Sequence, residues 1–95
     1  MFRMTVQDVF CIRHRGLVAT GRVEYGELSV GDQVRINDEI RTDNASSVRV
    51  DAIEAFRKKL STAKAGDNVG VVFSRLAKSD LAPGDVITAS GAFLA

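Results

Sequence analysis

Cysteine, histidine, charge of one sign and long hydrophobic runs are all scarce in this sequence. One cysteine, Cys11, excludes an internal disulfide and offers no spacing for a metal site, so we expect it to be a small buried apolar residue. Thirteen basic and twelve acidic side chains leave a net charge of +1, which argues against a general nucleic-acid coat protein but leaves a local basic patch open. No apolar run is long enough to span a bilayer, and the start MFRMTVQDVF lacks the layout of a secretory signal. The 95 residues therefore predict one domain, residues 1–95, that is soluble and cytoplasmic.

Catalytic motifs are also missing from the sequence. It contains no G-x-x-x-x-G-K-[ST] phosphate loop, and its one histidine, His14, lies in a basic turn without a nucleophile beside it. Asp32, Asp67 and Asp85 each follow a glycine, which favours a shared turn structure over a carboxylate cluster, and no group of residues suits zinc. We therefore predict that the chain by itself is not an enzyme and needs no cofactor.

Short segments rich in β-branched and aromatic residues alternate with turn signals along the chain. A surface loop is expected over Asp38–Ser47, and the residues from Arg75 to Leu81 suit either one helical turn or a loop. The long segment Val48–Arg57 changes its alternation near Ile53, which indicates a bulge. The predicted strands are Val6–Ile12, Leu17–Tyr25, Gln33–Asn37, Val48–Arg57, Val69–Phe73 and Val86–Thr88.

Glycine punctuates these segments in a regular way. The pair Gly-Asp occurs in SVGDQV, KAGDNV and APGDVI, each time just before a predicted strand, where glycine can take a positive φ and aspartate can bond nearby amides. Gly21 lies inside a strand and indicates a bulge or a sharp bend. Many short strands with no amphipathic helix predict an all-β fold, a small closed antiparallel β-barrel.

Four stretches together resemble the second domain of translation elongation factor Tu. They are DVFCIRHRG, VATGRVEYGELSVGD, IEAFRKKL and AGDNVGVV, against family patterns such as D-V-F-[ST]-I-x-G-R-G-T-V-x-T-G-R and A-G-[DE]-N-V-G. The resemblance runs from Phe2 to about Gly91, apart from the variable loop. It implies the β-barrel of that family, which helps to hold the aminoacylated end of transfer RNA beside a GTP-binding domain.

The resemblance also assigns candidate RNA-binding residues. It implies that the terminal adenosine contacts an apolar wall and a glutamate, while the aminoacyl group is surrounded by two phenylalanines and an asparagine, with an arginine nearby. An apolar wall provides stacking without a basic surface, and a carboxylate can accept a hydrogen bond from a ribose hydroxyl. The wall residues would be apolar in any barrel core, so the joint pattern carries the assignment. The candidates are Ile12, Val18 and Val72 (wall), Glu54 (glutamate), Phe10, Phe56 and Asn68 (aminoacyl group) and Arg57 (arginine).

The sequence departs from the family pattern at several positions. His14 replaces a glycine next to the expected pocket, where its ring could fill or cap it, Tyr25 replaces an arginine, and Ser74-Arg75 stands where Arg-Gly is usual. The chain is therefore expected to be a diverged relative, either a free-standing domain or part of a larger GTPase. Its expected partners are an aminoacyl-tRNA or another RNA end, and a GTPase domain or ribosomal component in trans, without a membrane. The alternative is a protein-docking barrel that has lost RNA binding and uses the same surface or the apolar tail Ala92-Phe93-Leu94.

Overall fold

The computed structural model describes residues 1–37, 47–55 and 57–89. These residues form ten strands, and one turn of 3-10 helix covers Lys78–Asp80. Every strand pairing is antiparallel. The strands are β1 (Phe2–Ile12), β2 (Gly16–Tyr25), β3 (Glu27–Ser29), β4 (Gln33–Ile36), β5 (Val48–Arg49), β6 (Ala52–Ala55), β7 (Lys58–Leu60), β8 (Thr62–Lys64), β9 (Asn68–Phe73) and β10 (Val86–Ala89).

The main sheet curls into a barrel because one segment joins its two sides. The strand order is β5-β4-β10-β1-β2-β9-β6-β7, so β5 pairs with β4 on one side while β6 pairs with β9 on the other. Val50 and Asp51 connect β5 directly to β6: the Val50 amide donates to the Asp32 carbonyl, and the Asp51 amide donates to the Val72 carbonyl, each at 2.9 Å. The predicted all-β barrel is thus confirmed. The strands β3 and β8 form a separate two-stranded ribbon.

The barrel core follows the two-residue period of the strands. On β2 the inward-facing Leu17, Ala19 and Val23 are buried, and on β9 Val69, Val71 and Phe73 are buried in the same cluster. Ile53 of β6 and Val50, which lies between β5 and β6, belong to the same buried cluster. The alternation places the other parity on the outer face of the barrel, where the candidate site lies.

Three turns of identical construction explain the Gly-Asp pairs. In each, the aspartate amide donates to the carbonyl three residues earlier, at 2.9–3.0 Å, and the aspartate carboxylate accepts from that same earlier residue's amide at 2.8–2.9 Å. The glycine between them has φ between +91° and +97°, as the third position of a type II turn requires. The interpretation of Asp32, Asp67 and Asp85 as turn residues is confirmed.

A bulge in β1 meets the glycine inside β2. Val6 lies opposite Gly21 and Asp8 opposite Thr20, so Gln7 is an extra residue in β1. A Cβ at Gly21 would lie 2.4 Å from the Thr5 carbonyl oxygen, so only glycine permits the strands to approach this closely. The bulge also reverses which residues of β1 face outward.

Several sequence expectations need correction. The long strand over Val48–Arg57 is divided at Val50 and Asp51, because that segment changes partner from β4 to β9 as it crosses the barrel. No strand was predicted over β3, β7 or β8; the six residues of β7 and β8 include three lysines and show little apolar alternation. Cys11 is exposed rather than buried, because it lies near the end of β1, where the strand runs into the turn to β2. Residues 38–46 of the expected loop, and the tail at 92–94, lie outside the described residues.

Candidate RNA-end interface

A cleft of about 310 Å³, open to solvent, lies on the outer face of the barrel. It runs across β1, β2, β9 and β6, which are consecutive in the sheet and so present their outward residues side by side. Arg57, which follows β6, also lines it. The cleft is lined by Gln7, Phe10, Ile12, Val18, Thr20, Gly21, Glu54, Ala55, Arg57, Asn68, Val69 and Gly70.

The floor of the cleft is apolar: Val18 lines the cleft, and Val72 lies beside Val18. Val18 is 4% exposed and Val72 is 3% exposed, yet neither belongs to the cluster of buried residues inside the barrel. They are cross-strand partners on β2 and β9, with Ile12 half-buried at the end of β1. Both valines are buried, as residues of a barrel core would be, although the cluster of packed core residues does not include them.

Polar and aromatic groups stand along the cleft above this floor. The Phe10 ring is 42% exposed, and Asn68 is exposed at the start of β9. Gln7 lies in the lining because the β1 bulge places it there, which no alternation pattern could have predicted. Thr20 and Gly70 could have been found, since each lies two residues from a candidate on the same strand face, Val18 and Asn68.

Glu54 is the charged centre of the cleft. It lies on β6 between Gly70 of β9 and Lys59 of β7, and its Oε2 accepts a hydrogen bond from Nη2 of Arg15. The Glu54 side chain is 27% exposed, so solvent still reaches it. The Arg15 hydrogen bond, followed by the charges of Arg15 and Lys59, lowers the pKa of Glu54 and outweighs the opposing effect of burial. The carboxylate is therefore ionised at neutral pH.

Arg57 lies at the turn between β6 and β7 with φ +68°, a conformation that side-chain-bearing residues rarely adopt. Such conformations cost about 1–3 kcal/mol and concentrate at functional sites. The hairpin register places Ala55 opposite Lys58, so Arg57 occupies the second position of a two-residue loop. Glycine is the residue that this geometry favours, and arginine here instead supplies a cation to the cleft.

The structure brings most of the predicted site residues together. Six of the eight line the cleft: Phe10, Ile12, Val18, Glu54, Arg57 and Asn68. Val72 does not line it but lies beside Val18 beneath the surface, and Phe56 lies outside the described residues. His14, whose ring could have filled or capped the pocket, and Tyr25 are both exposed and absent from the lining.

Within the described ranges, no group of three or more histidine, cysteine, aspartate or glutamate side chains is placed to hold a metal ion. No helix in this part of the chain is long and apolar enough to cross a membrane.

Comparison with known families identifies the barrel. The family model for elongation factor Tu domain 2 matches residues 16–88, which is more than half of the chain. The matched range includes Val18, Glu54, Arg57 and Asn68, while β1, with Phe10 and Ile12, precedes it. The match is to that second domain, a module that is non-catalytic by itself. The chain belongs to the elongation factor Tu domain 2 family.

Proposed function

We propose that the cleft binds the terminal nucleotide of an RNA, with the aminoacylated acceptor end of transfer RNA as its preferred ligand. The observation that carries this proposal is the convergence of an apolar floor, an exposed aromatic ring and an ionised carboxylate in one open cleft. Membership of the elongation factor Tu domain 2 family supports partners within the translation machinery.

The size of the cleft suits a single nucleotide. Small-molecule sites usually measure about 300–1,000 Å³, and this one lies at the lower end with about 310 Å³. The lack of excess positive charge also favours one end group over a long stretch of backbone, because nonspecific RNA binding depends on neutralising many phosphates.

The lining offers a partner for each part of such a ligand. A base would stack over Ile12 and Val18, and its sequence-tolerant stacking would supply affinity. The Glu54 carboxylate would accept a hydrogen bond from a ribose hydroxyl, a group that DNA lacks at the 2′ position. Phe10 and the Asn68 amide, which line the same cleft, would contact the aminoacyl group, and Arg57 would supply a cation for a phosphate.

The test is a titration followed by backbone amide shifts in NMR. The probes are a short CCA-ended RNA with a bare end and the same RNA with an amide-linked aminoacyl end, which resists hydrolysis. We expect localised shifts at Ile12, Val18, Glu54 and Asn68, with tighter binding of the aminoacyl form. Glu54→Ala should weaken binding about tenfold, the effect of losing one hydrogen bond to a charged group.

Glu24→Ala is the matched control. Glu24 is also an ion-paired strand glutamate, bonded to Arg3 at 2.8 Å, but it lies outside the cleft lining. Glu24→Ala should leave the binding of both RNAs unchanged. No shifts with either RNA at low salt would overturn the proposal and favour the protein-docking alternative, as would equal losses in the two variants.

A further inference from the structure

The Arg15 side chain reaches the cleft through a hydrogen bond to Glu54. It lies in the turn between β1 and β2 and is not part of the cleft lining, yet its guanidinium donates from Nη2 to Oε2 of Glu54, on the far side of β2 and β9 in the sheet. Its side chain is 36% exposed, and the residues in the pair are separated by 39 positions in the sequence. The contact therefore depends on the folded barrel.

We propose that Arg15 is a positioning residue that orients the Glu54 carboxylate toward a ribose hydroxyl and thereby sets the preference of the cleft for RNA over DNA ends. This inference rests on the proposed function above. Arg15 acts through Glu54 and does not itself touch the ligand.

The geometry of the pair suits this role. A carboxylate has about four lone-pair positions on two oxygens, and the bond from Arg15 engages Oε2, so acceptor capacity remains for a hydroxyl. A strand glutamate otherwise samples several rotamers, whereas a charge-assisted bond to a planar guanidinium restricts it. A preoriented acceptor gains more from a ligand hydroxyl than a mobile one.

The turn that carries Arg15 is itself well defined. The Arg15 amide donates to the Ile12 carbonyl at 3.0 Å, which closes the turn, and His14 within it has φ +67°. The next residue, Gly16, packs so closely that a Cβ would lie 2.5 Å from the Phe73 carbonyl oxygen. The backbone next to Arg15 is thus fixed against β9. This fixes the point from which the Arg15 side chain reaches Glu54.

The test compares two probes that differ in one atom: a CCA-ended RNA and the same RNA with a 2′-deoxyadenosine end. We expect the parent protein to prefer the ribose end about tenfold, as a hydrogen bond to a charged group implies. Arg15→Gln should reduce this preference to about twofold, mainly by weakening the ribose probe. Added to Glu54→Ala, it should cause no further loss of the preference.

Arg15→Lys separates positioning from simple attraction. Lysine keeps the positive charge but loses the planar fork, so it should retain the affinity for the deoxy-ended probe while losing much of the ribose preference. Arg3→Gln, which breaks the ion pair between Arg3 and Glu24, should change neither the affinity nor the ribose preference. Equal weakening of both probes by Arg15→Gln would overturn the proposal and leave Arg15 as a phosphate attractor.

A second measurement needs no RNA. In the free protein, the side-chain carboxyl carbon of Glu54 can be followed by NMR during a pH titration. Two cations lower the pKa of Glu54, namely Arg15 by the hydrogen bond and its charge and Lys59 across the hairpin, while Arg57 lies in the same cleft lining. Arg15→Gln should raise the pKa of Glu54 measurably, since the Arg15 bond is the largest cause of its lowering.

The RNA-probe titrations and the Glu54 pH titration together distinguish failure of the positioning role from failure of the proposed function. An unchanged Glu54 titration in Arg15→Gln would overturn the positioning role whatever the RNA results are. Absence of binding to both probes by the parent protein would overturn the proposed function and the ribose preference with it, while the titration would still decide whether Arg15 holds Glu54.

Discussion

Two residues beside the cleft, His14 and Arg57, hold backbone conformations that favour glycine, with φ +67° and +68°. For an L-residue this conformation costs about 1 kcal/mol or more. Despite this strain, Arg57 places a cation in the cleft lining, whereas His14 is exposed and lies outside the lining. A substitution by glycine would therefore remove a cation from the cleft at Arg57 but would remove no cleft-lining side chain at His14.

We expect His14→Gly to raise the free energy of unfolding by up to about 1 kcal/mol, because relief of the strained φ exceeds the entropy that glycine adds to the unfolded chain. Urea unfolding measures the change. Asn37→Gly is the contrasting variant: Asn37 has φ +58°, but its amide accepts from the Val86 amide at 2.8 Å and donates to Asp85 at 3.1 Å. Loss of the Asn37 side chain and of these two hydrogen bonds should destabilise the barrel. A destabilised His14→Gly would mean that the histidine ring makes contacts that outweigh the strain.

Residue by residue, the sequence predicts chemistry better than it predicts exposure. The type II turns followed from Gly-Asp alone, because their bonds are local and span four residues. Cys11 was wrongly expected to be buried, since its burial depends on where β1 ends relative to the core. The lining position of Gln7 depends on a bulge whose counterpart lies 14 residues away, at Gly21.

At the level of elements, the segment that closes the barrel is the least regular. Asp51, between β5 and β6, accepts from both the amide of Ser74 at 2.7 Å and its hydroxyl at 2.8 Å. The strand predicted over Val69–Phe73 ends where β9 ends, and Ser74 ties the end of β9 to the closing segment.

Asp51 should make the stability of the barrel depend on pH. The Ser74 amide and hydroxyl, with the charges of Arg49 and Arg75, lower the pKa of Asp51 despite the opposing effect of its slight burial. Because its pKa is lower in the folded chain, the ionised carboxylate stabilises the fold above the ordinary aspartate pKa. This contribution disappears as the pH falls through the lowered folded value.

Asp51→Asn should therefore lower the free energy of unfolding at pH 7 by about 1 kcal/mol, a value reduced for its solvent exposure. Urea unfolding at neutral and strongly acidic pH measures it, and the difference from the parent protein should shrink toward low pH. Asp8→Asn, at a strand carboxylate bonded to the adjacent Val9 amide, provides the comparison. A difference that stays constant with pH would assign the loss to packing rather than to charge.

The long segment over Val48–Arg57 shows why element boundaries are harder to predict than strand identity. The change of alternation near Ile53 indicated a bulge. In the structure the strand is instead interrupted at Val50 and Asp51. The segment leaves one partner strand and joins another, which its own residues do not encode. Similarly, β7 and β8 form because long-range pairing with β6 and β3 outweighs their weak local signals.

For the whole molecule, the overall charge of +1 restricts how the cleft can attract RNA. Among the described cations, Arg15 donates to Glu54, Lys59 is its cross-strand partner and Arg57 lines the cleft. We therefore expect two or three phosphate contacts when one end nucleotide binds. Stacking on the apolar floor and the bond to Glu54 would have to supply the remaining affinity, and neither depends strongly on salt.

The affinity for a CCA-ended RNA should accordingly fall only gently with ionic strength. Each phosphate contact with a single strand contributes about −0.7 to the slope of log affinity against log salt, so two or three give about −1.4 to −2. A salt series of binding titrations measures this slope. Arg57→Gln should reduce its magnitude by about 0.7, whereas Lys64→Gln, in the separate β3–β8 ribbon and outside the lining, should not change it. A slope steeper than about −4 would mean that RNA lies along a wide basic surface, and recognition of one end nucleotide would then lose its physical basis.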